Sequence, residues 1–387
     1  MKPKASSTGT ARVVLAGPLP PWRSGIADQT VRLAVAMTRI GVVPTVLDFV
    51  RMYPRFLYPG KTDRDPAPKG AAPPPFPVLP LLDGTNPLSF REAARRAAAI
   101  DPDLVVVPWW TSFFAPHVRG FLDVLAKRSP RTVRLLLCHN TFDHEGGGLG
   151  RRVAASVFRR CDRLAVQNQA ALAETSRLAP AVKVGLLPHP VEPRHVLPDR
   201  EEARSRLGVP PGAALFLFTG LLREYKGWDL LLEAFARVHR EYPHALLVLA
   251  GEPWGEAKKL LRRPPPPGVR IEPRWLSEAE RALWLDACDA VVCPYRHATG
   301  SGVAADALAH GRGLIGTRVD GLLEVVRDGD SGLLVPPGDA GALEEALLRF
   351  LREGLGPRLA AGAALHRPRF SPEEHARRLL ALGGIPG

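Results

Sequence analysis

The segment Leu215–Leu232 constrains the fold of this chain more than any other stretch of its sequence. It begins with a continuous apolar run ending at Gly220, which is typical of a strand buried on both faces of a parallel sheet. An apolar stripe at helical spacing follows and predicts a helix. Its members are Leu231, Ala234, Phe235 and Val238. Free backbone N–H groups where such a helix begins favour anions, and Arg223 and Lys226 lie in the connecting loop. We expect a diphosphate site here, the alternative being a basic loop that only faces solvent.

The alternation of strand and helix continues through both halves of the chain and predicts an α/β fold. Two successive series of this kind are typical of two doubly wound parallel sheets, each a Rossmann-like domain, facing each other across a cleft. The predicted domains are residues 1–195 and 196–370, followed by a helix over 371–387 that packs back on the first domain. In this interpretation the charged segment Asp199–Arg206 is a connector that marks the domain boundary.

Three local patterns complete the prediction for the first domain. The apolar run Val42–Leu47 predicts its second strand. Ser89 and Glu92 have the spacing of a capping box, which predicts a helix over Phe90–Ile100. The proline-rich segment Pro54–Pro80 cannot form a helix, so we expect an extended excursion on the surface.

Composition and charge restrict the partners and the setting. The chain of 387 residues has a formal net charge of +13, which favours anionic partners. It lacks the aromatic and basic pattern of a nucleic-acid module, so we expect no nucleic acid as partner and allow peripheral contact with an anionic membrane. The four cysteines are predicted to be buried thiols. No stretch reads as a signal peptide or a membrane span, which predicts a cytoplasmic protein, or one peripheral on the inner membrane face.

The first candidate site in the N-terminal half is the loop that opens a helix at Ser24 and Gly25. It follows the predicted strand Arg12–Ala16, and its glycine allows the phosphate or sugar of a ligand to approach the backbone. The loop does not have the G-x-G-x-x-G spacing of dinucleotide-binding proteins, which disfavours a nicotinamide enzyme.

The second candidate site is His139, which follows the predicted strand Val133–Cys138. Ligands of open α/β sheets bind at the carboxyl ends of the strands, although a hydrogen-bonded loop histidine is the alternative. His144 and Glu145 follow closely. Their spacing does not place two histidines on one helix face, so we expect no metal site.

The C-terminal half contains a second glycine loop, Pro294–Val303, that opens a helix. Ser301, Gly302 and Val303 lie at the predicted helix start, where backbone N–H groups attract anions. Asp306 lies one turn into this helix.

Taken together, these motifs resemble the GT-B glycosyltransferases, and specifically a bacterial subgroup of the retaining family 4 group. The C-terminal segments of the resemblance occur in the family's order, and they are Gly220–Gly227, Ala290–Arg296, Ser301–Val303, Leu314–Thr317, Gly321–Val326 and Gly332–Asp339. Those of the N-terminal half are Asn86–Ser89, Pro108–Pro116 and His139–Glu145. The resemblance covers nearly the whole chain outside the proline-rich segment.

The resemblance implies a retaining transferase that moves a hexose from a nucleotide-diphosphate sugar to a cell-surface polysaccharide or glycolipid precursor, which is a glycan or lipid-linked acceptor. Arg223 and Lys226 would neutralise the departing diphosphate, and His139 would face the transferred sugar. Ser24, Gly25, Ser301, Gly302 and Val303 would approach the donor, and His144 and Glu145 would lie on the acceptor side. No metal or other cofactor is implied.

The chain departs from the family pattern at one position. The family has two acids separated by seven residues in this region, and here the first is Ala298 and the second Asp306. The second acid holds the nucleotide ribose, which Asp306 can still do, whereas the loss of the first leaves the donor sugar undefined. Two alternatives follow, a nucleotide-sugar epimerase on the same fold and a non-catalytic binder of nucleotide sugars.

Overall fold

The computed structural model describes residues 11–54, 63–64, 73–141, 147–190, 199–262 and 264–385. The chain divides into two compact units, one formed by residues 1–187 together with 372–387 and the other by residues 188–371. The boundary predicted at residue 195 falls within 191–198, outside the described residues. Each unit is an α/β domain built around a parallel sheet.

The first unit contains a seven-stranded parallel sheet in the order β3-β2-β1-β4-β5-β6-β7. Its strands are β1 (Val13–Ala16), β2 (Thr45–Arg51), β3 (Val78–Asp83), β4 (Leu104–Trp109), β5 (Val133–Cys138), β6 (Arg163–Val166) and β7 (Lys183–Leu186). The helices that belong to it are α1 (Gly25–Arg39), α2 (Pro87–Ala99), α3 (Ala115–Arg128), α4 (Gly147–Phe158), α5 (Gln169–Leu178) and α13 (Pro372–Leu382). The central strands are buried on both faces, as a doubly wound sheet requires.

The second unit contains a six-stranded parallel sheet in the order β10-β9-β8-β11-β12-β13. Its strands are β8 (Ala214–Thr219), β9 (Ala245–Ala250), β10 (Val269–Glu272), β11 (Ala290–Cys293), β12 (Gly313–Thr317) and β13 (Gly332–Val335). Its helices are α6 (Arg200–Arg206), α7 (Trp228–Glu241), α8 (Glu278–Ala287), α9 (Gly302–Ala309), α10 (Asp320–Leu323), α11 (Ala340–Arg352) and α12 (Gly356–His366).

The central prediction of the sequence, a buried strand followed by an amphipathic helix, is confirmed. Strand β8 is buried over nearly its whole length, and α7 buries one stripe of four residues against the sheet. That stripe consists of Leu231, Ala234, Phe235 and Val238, the residues predicted from helical spacing. The four cysteines are buried as predicted. Burial raises the pKa of the Cys288 and Cys293 thiols to about 12, so they stay protonated and unreactive at neutral pH.

The first sheet differs from the sequence prediction at its edge. The second strand is Thr45–Arg51, three residues later than predicted. The end of the proline-rich segment is not an excursion, because β3 begins at Val78 and pairs with β2. Strand β3 lies at the edge of the sheet, where a strand tolerates a proline such as Pro80 that cannot donate to a neighbour.

The predicted capping box at Ser89 is wrong. Helix α2 begins at Pro87, and its N-cap is Asn86, whose side chain accepts a hydrogen bond from the Leu88 N–H. Ser89 lies inside the first turn and its hydroxyl donates to the Asn86 carbonyl at 2.7 Å. Proline at the first helical position, with asparagine before it, is the signal that decides this helix start.

The prediction that Asp199–Arg206 is a connector is also wrong, because residues 200–206 form helix α6 within the second unit. Arg204 is 5% exposed and its guanidinium donates to the carbonyls of Ala287 and Ala213. It also forms an ion pair with Asp289. A buried arginine with three oxygen partners fixes this helix to its unit. Among the described helices, none is both long and apolar enough to cross a bilayer.

Candidate functional site

The most distinctive arrangement in the second unit lies where the strand order of its sheet reverses, between β8 and β11. In doubly wound sheets this switch point leaves a crevice at the carboxyl ends of the strands, and ligands bind there. The loop after β8 carries Arg223 and Lys226, and the loop after β11 leads to Ser301 and α9. The fold therefore brings together two of the segments singled out from the sequence.

Lys226 is positioned over Gly220. A Cβ built on Gly220 would lie 2.9 Å from the Lys226 Nζ and 3.5 Å from a methyl of Val303, so the ammonium lies beside the end of β8 and close to the start of α9. Its Nζ also lies 5.9 Å from the ring centroid of Tyr295. A cation beside the beginning of a helix is the arrangement expected for binding phosphate.

Gly227 couples the two loops. Its φ of 70° lies in the left-handed region, and a Cβ there would lie 2.0 Å from the carbonyl oxygen of Pro294. The Arg296 N–H donates to the Tyr225 carbonyl at 2.7 Å, and its guanidinium forms a bidentate pair with Asp229. The hydrogen bonds from Arg296 lower the pKa of that carboxyl. The loops after β8 and β11 therefore form one preorganised structure.

Arg223 lies at the outer end of this structure. It is exposed, and its guanidinium carbon lies 5.3 Å from the ring centroid of Tyr225 and 5.8 Å from that of Trp254. Rings on which a guanidinium rests restrict its movement while its N–H groups stay available to an anion. The His297 ring stacks on Tyr225 with centroids 5.2 Å apart.

Ser301 begins α9 as its N-cap. Its hydroxyl oxygen accepts a hydrogen bond from the Ala304 N–H at 3.1 Å and lies 3.4 Å from the Tyr295 hydroxyl. Gly302 and Val303 are the first residues of the helix, so their N–H groups have no partner within it. Burial raises the pKa of Tyr295 well above its ordinary value, which keeps the phenol neutral behind this helix start.

Asp306 lies one turn further along α9, as predicted, but it is paired within its own unit. Its Oδ2 lies 3.2 Å from Nε of Arg281, a residue of α8. Both side chains are largely buried, with 15% of Asp306 and 18% of Arg281 exposed. No local sequence pattern indicates this pair, because it joins two separate helices.

Thr219 is a polar residue that the sequence argument did not single out. It is the last residue of β8, it is 2% exposed, and its Oγ1 has no hydrogen-bond partner among the described residues. A buried hydroxyl without a partner is costly unless a ligand or a water satisfies it. Its place immediately before Gly220 adds a polar contact to the same switch point.

His189 is a second residue that the sequence argument passed over. It is buried, and its ring nitrogen Nδ1 lies 3.2 Å from the Pro190 carbonyl oxygen. A Cβ on Gly302 would lie 3.7 Å from the His189 ring, which places this imidazole against the start of α9. A histidine directly after the last strand of the first sheet was the available signal.

In the first unit, His139 follows β5 at the carboxyl edge of the sheet. It is buried, and its backbone N–H donates to the Trp109 carbonyl at 2.8 Å. Its ring nitrogen Nδ1 lies 3.1 Å from the side-chain nitrogen of Gln167. Gln167 follows β6, so the pair joins the ends of adjacent strands. This contact fixes the orientation of the imidazole ring, as a functional histidine requires.

Ser24 and Gly25 lie at the same edge of the first sheet. Ser24 is the N-cap of α1, and its hydroxyl accepts from the Ile26 N–H at 3.2 Å. A Cβ built on Gly25 would meet no atom of the described residues within 4 Å, so they leave the space beside this glycine open. His144 and Glu145 lie outside the described residues. Among those that are described, no group of three or more potential metal ligands occurs.

Part of the chain is similar to a known family of proteins. Residues 213–353 match the model of the family described as glycosyl transferases group 1. The match begins just before β8 and ends just after α11, so it contains the whole switch point of the second sheet.

Curated relatives are also named as glycosyltransferases. A D-inositol 3-phosphate glycosyltransferase of Nocardioides sp. is 35% identical over 204 residues, which cover 47% of this chain and 44% of that protein. The protein of the same name from Acidothermus cellulolyticus is 32% identical over 254 residues, covering 60% of this chain and 56% of its own. The chain thus spans about half the length of the curated relatives it matches.

Solved structures match over nearly the whole chain and establish the fold. Sucrose-phosphate synthase from Thermosynechococcus elongatus has a TM-score of 0.75 and 18% identity, and the alignment covers 96% of this chain and 98% of that one. Anabaena Alr3699/HepE in complex with UDP-glucose has a TM-score of 0.73 and 16% identity, with 95% and 99% covered. The fold is therefore GT-B, as the sequence predicted, with two Rossmann-like domains of seven and six parallel strands.

Proposed function

We propose that this chain is a glycosyltransferase that takes a hexose from a nucleotide-diphosphate sugar and transfers it, with retention of anomeric configuration, to a glycan or lipid-linked acceptor. One observation supports this most directly: the Lys226 ammonium lies over Gly220 and beside the first turn of α9. The similarity of residues 213–353 to group 1 glycosyl transferases supports the same assignment.

In this proposal the second unit binds the donor. Lys226 and Arg223 neutralise the charge that develops on the diphosphate as the sugar departs, and the N–H groups of Gly302 and Val303 bind phosphate oxygens. Donors fixed before the reaction are the main source of such stabilisation, because they need not reorganise as the charge appears. Asp306 is proposed to hold the ribose.

The first unit is proposed to supply the surroundings of the acceptor and of the transferred sugar. His139, oriented by Gln167, contacts the sugar, and Ser24 and Gly25 allow the donor to approach the backbone at the start of α1. His144 and Glu145 are proposed on the acceptor side. We further propose that no metal is needed, since two cations already serve the diphosphate, and that a basic surface allows the protein to contact an anionic membrane from the cytoplasm.

The proposal is tested by calorimetric titration with UDP, GDP and ADP, followed by transfer assays with the sugar donors of the nucleotide that binds. We expect one nucleoside diphosphate to bind, free nucleoside diphosphate to be released only with acceptor turnover, and transfer to persist in EDTA. Conversion of the donor sugar without an acceptor would identify an epimerase instead. Binding without any turnover would identify a non-catalytic binder, and loss of transfer in EDTA would refute metal independence.

A further inference from the structure

The carboxyl edge of the first sheet presents aromatic rings that the proposed function does not use. They are Tyr53, Trp110 and Phe113, and we call them the aromatic wall. Tyr53 follows β2, and Trp110 follows β4, on either side of β1. All three residues are partly exposed, whereas Phe114 between them is buried. The wall therefore forms part of the surface at the edge where ligands of such sheets bind.

The rings of the wall hold each other in fixed orientations. The Trp110 Nε1–H donates to the Tyr53 hydroxyl at 2.8 Å, and the centroids of Tyr53 and Phe113 lie 5.7 Å apart. Phe114 contacts all three, with centroid distances of 5.5 Å to Tyr53, 4.8 Å to Trp110 and 4.9 Å to Phe113. A buried ring thus supports three rings that are partly exposed, which is the construction of a preorganised binding surface.

Polar groups border the wall on the side of the neighbouring strand. The Asn140 side chain donates to the Trp110 carbonyl at 3.1 Å, and the Thr111 hydroxyl oxygen accepts from the Phe113 N–H at 3.3 Å. The backbone N–H of His139 donates to the carbonyl of Trp109, the residue before Trp110. Amide and hydroxyl groups therefore lie next to the rings, and the proposed sugar-contacting histidine is anchored one residue away.

Two cations near this edge are already engaged. Arg51 forms two hydrogen bonds with Asp83, at 3.2 and 2.7 Å. Arg64 lies over the Trp22 ring at 4.2 Å and donates to the Val50 carbonyl at 3.0 Å. An uncharged ligand leaves these contacts intact.

We propose that the aromatic wall binds the ring of an uncharged glycosyl acceptor beside His139. A sugar ring has a face of C–H groups that packs on the negative face of an aromatic ring, and a rim of hydroxyl groups that pairs with amides and hydroxyls. This inference rests on the proposed function and assigns its acceptor to neutral hexosides. It differs from the acceptor in the names of the curated relatives, which is an inositol phosphate.

The test is saturation-transfer NMR with three probes: methyl α-D-mannopyranoside, methyl β-D-glucopyranoside and D-inositol 3-phosphate. It compares the wild type with Trp110→Leu and Phe113→Leu, which keep apolar bulk and remove the ring. Phe90→Leu is the matched control, because Phe90 also packs on Phe114, at 6.3 Å, but is only 3% exposed. Thermal unfolding verifies the fold of each variant. If Trp110→Leu does not fold, Phe113→Leu decides the result.

We expect the wild type to bind at least one methyl hexopyranoside, and each wall variant to weaken that binding by about tenfold or more, while the Phe90 control stays near the wild type. Sugar affinity that is unchanged in the wall variants overturns the proposal, as does binding of the inositol phosphate alone. Calorimetry with nucleoside diphosphates on the same preparations tests the donor side separately. Sugar binding without nucleotide binding would keep the aromatic wall as a sugar site and refute the transferase.

Discussion

The carboxyl edges of the two sheets differ in the chemical groups that they present. At the second sheet, glycines bring backbone and cations together, as where Lys226 lies over Gly220 and Gly227 touches Pro294. At the first sheet, the edge presents aromatic rings beside a histidine and amide side chains, with His139 paired to Gln167. Under the proposed function, the first edge would bind the diphosphate, which is the same in every nucleotide-sugar donor, and the second would bind the acceptor sugar, which varies between enzymes. The edge made of backbone is also the one that a family model matches.

The largest expected effect concerns the two cations in the loop after β8. Lys226→Ala and Arg223→Ala should each reduce transfer by about 2–4 kcal/mol of transition-state stabilisation, since each removes a fixed cation from the departing diphosphate. Steady-state kinetics on folded variants measures this. Lys258→Ala, an exposed lysine of the same unit, is the control and should behave as the wild type. Near-native turnover in the first two variants would remove the proposed donor site.

The next effect tests whether backbone contact between the two loops is essential. Gly227→Ala and Gly212→Ala both place a Cβ at positive φ, 70° and 72° respectively, which costs about 1 kcal/mol of unfolding free energy. At Gly212 the Cβ would meet no atom within 4 Å in the part of the chain that the structure describes, whereas at Gly227 it would collide with the Pro294 carbonyl. We therefore expect Gly227→Ala to lose at least about 2 kcal/mol in chemical denaturation, and to bind nucleoside diphosphate more weakly. Equal losses in the two variants would show that the loops are not coupled.

A smaller effect concerns Asp306. We expect Asp306→Ala to weaken nucleoside diphosphate binding about tenfold, or roughly 1.4 kcal/mol, because a carboxylate that binds ribose hydroxyls makes charge-assisted hydrogen bonds. Arg281→Ala tests the alternative role of Asp306, which is to pair with Arg281 of α8. If the carboxylate only anchors α9 to α8, calorimetry will give an unchanged dissociation constant for both variants, and thermal unfolding will show similar losses of stability.

The smallest effect belongs to the first unit alone. Burial raises the pKa of Asp48 to about 6, although its carboxylate accepts from the N–H groups of Leu19 and Phe49. The folded state then binds more protons than the unfolded state between about pH 4 and pH 6. Stability should therefore fall by about 1 kcal/mol from pH 5 to pH 7 relative to Asp48→Asn, measured by urea denaturation. A wild type and variant with the same pH dependence would contradict this.

The sequence predicted the fold well where local pattern decides structure. The strand Val133–Cys138 lies where the sequence predicted it, because the apolar residues of a strand covered on both faces form a nearly continuous run. Helix α8 likewise begins with a capping box of local residues, since Ser277 and Glu280 pair reciprocally. These features depend on residues that are neighbours in the chain.

The features that were missed depend on distant contacts. Strand β3 was hidden because its residues are mostly half-exposed and include Pro80, which only an edge position permits. Helix α6 was read as a linker because the burial of Arg204 against Asp289 cannot be seen in a local stretch of charges. The Asp306–Arg281 pair and the aromatic wall likewise join separate elements. The roles of the candidate site residues stay predictions until the variants above are measured.

The return of α13 to the first unit has a consequence for how the protein is made. Ala376, Leu379 and Leu380 belong to the same buried cluster as Leu33 and Met37 of α1. The ribosome must therefore synthesise the whole second unit before this part of the first core can close. Domains normally fold in order as they emerge, but here the unit that begins first finishes last. Throughout that interval the nascent first unit exposes the apolar surface that α13 later covers.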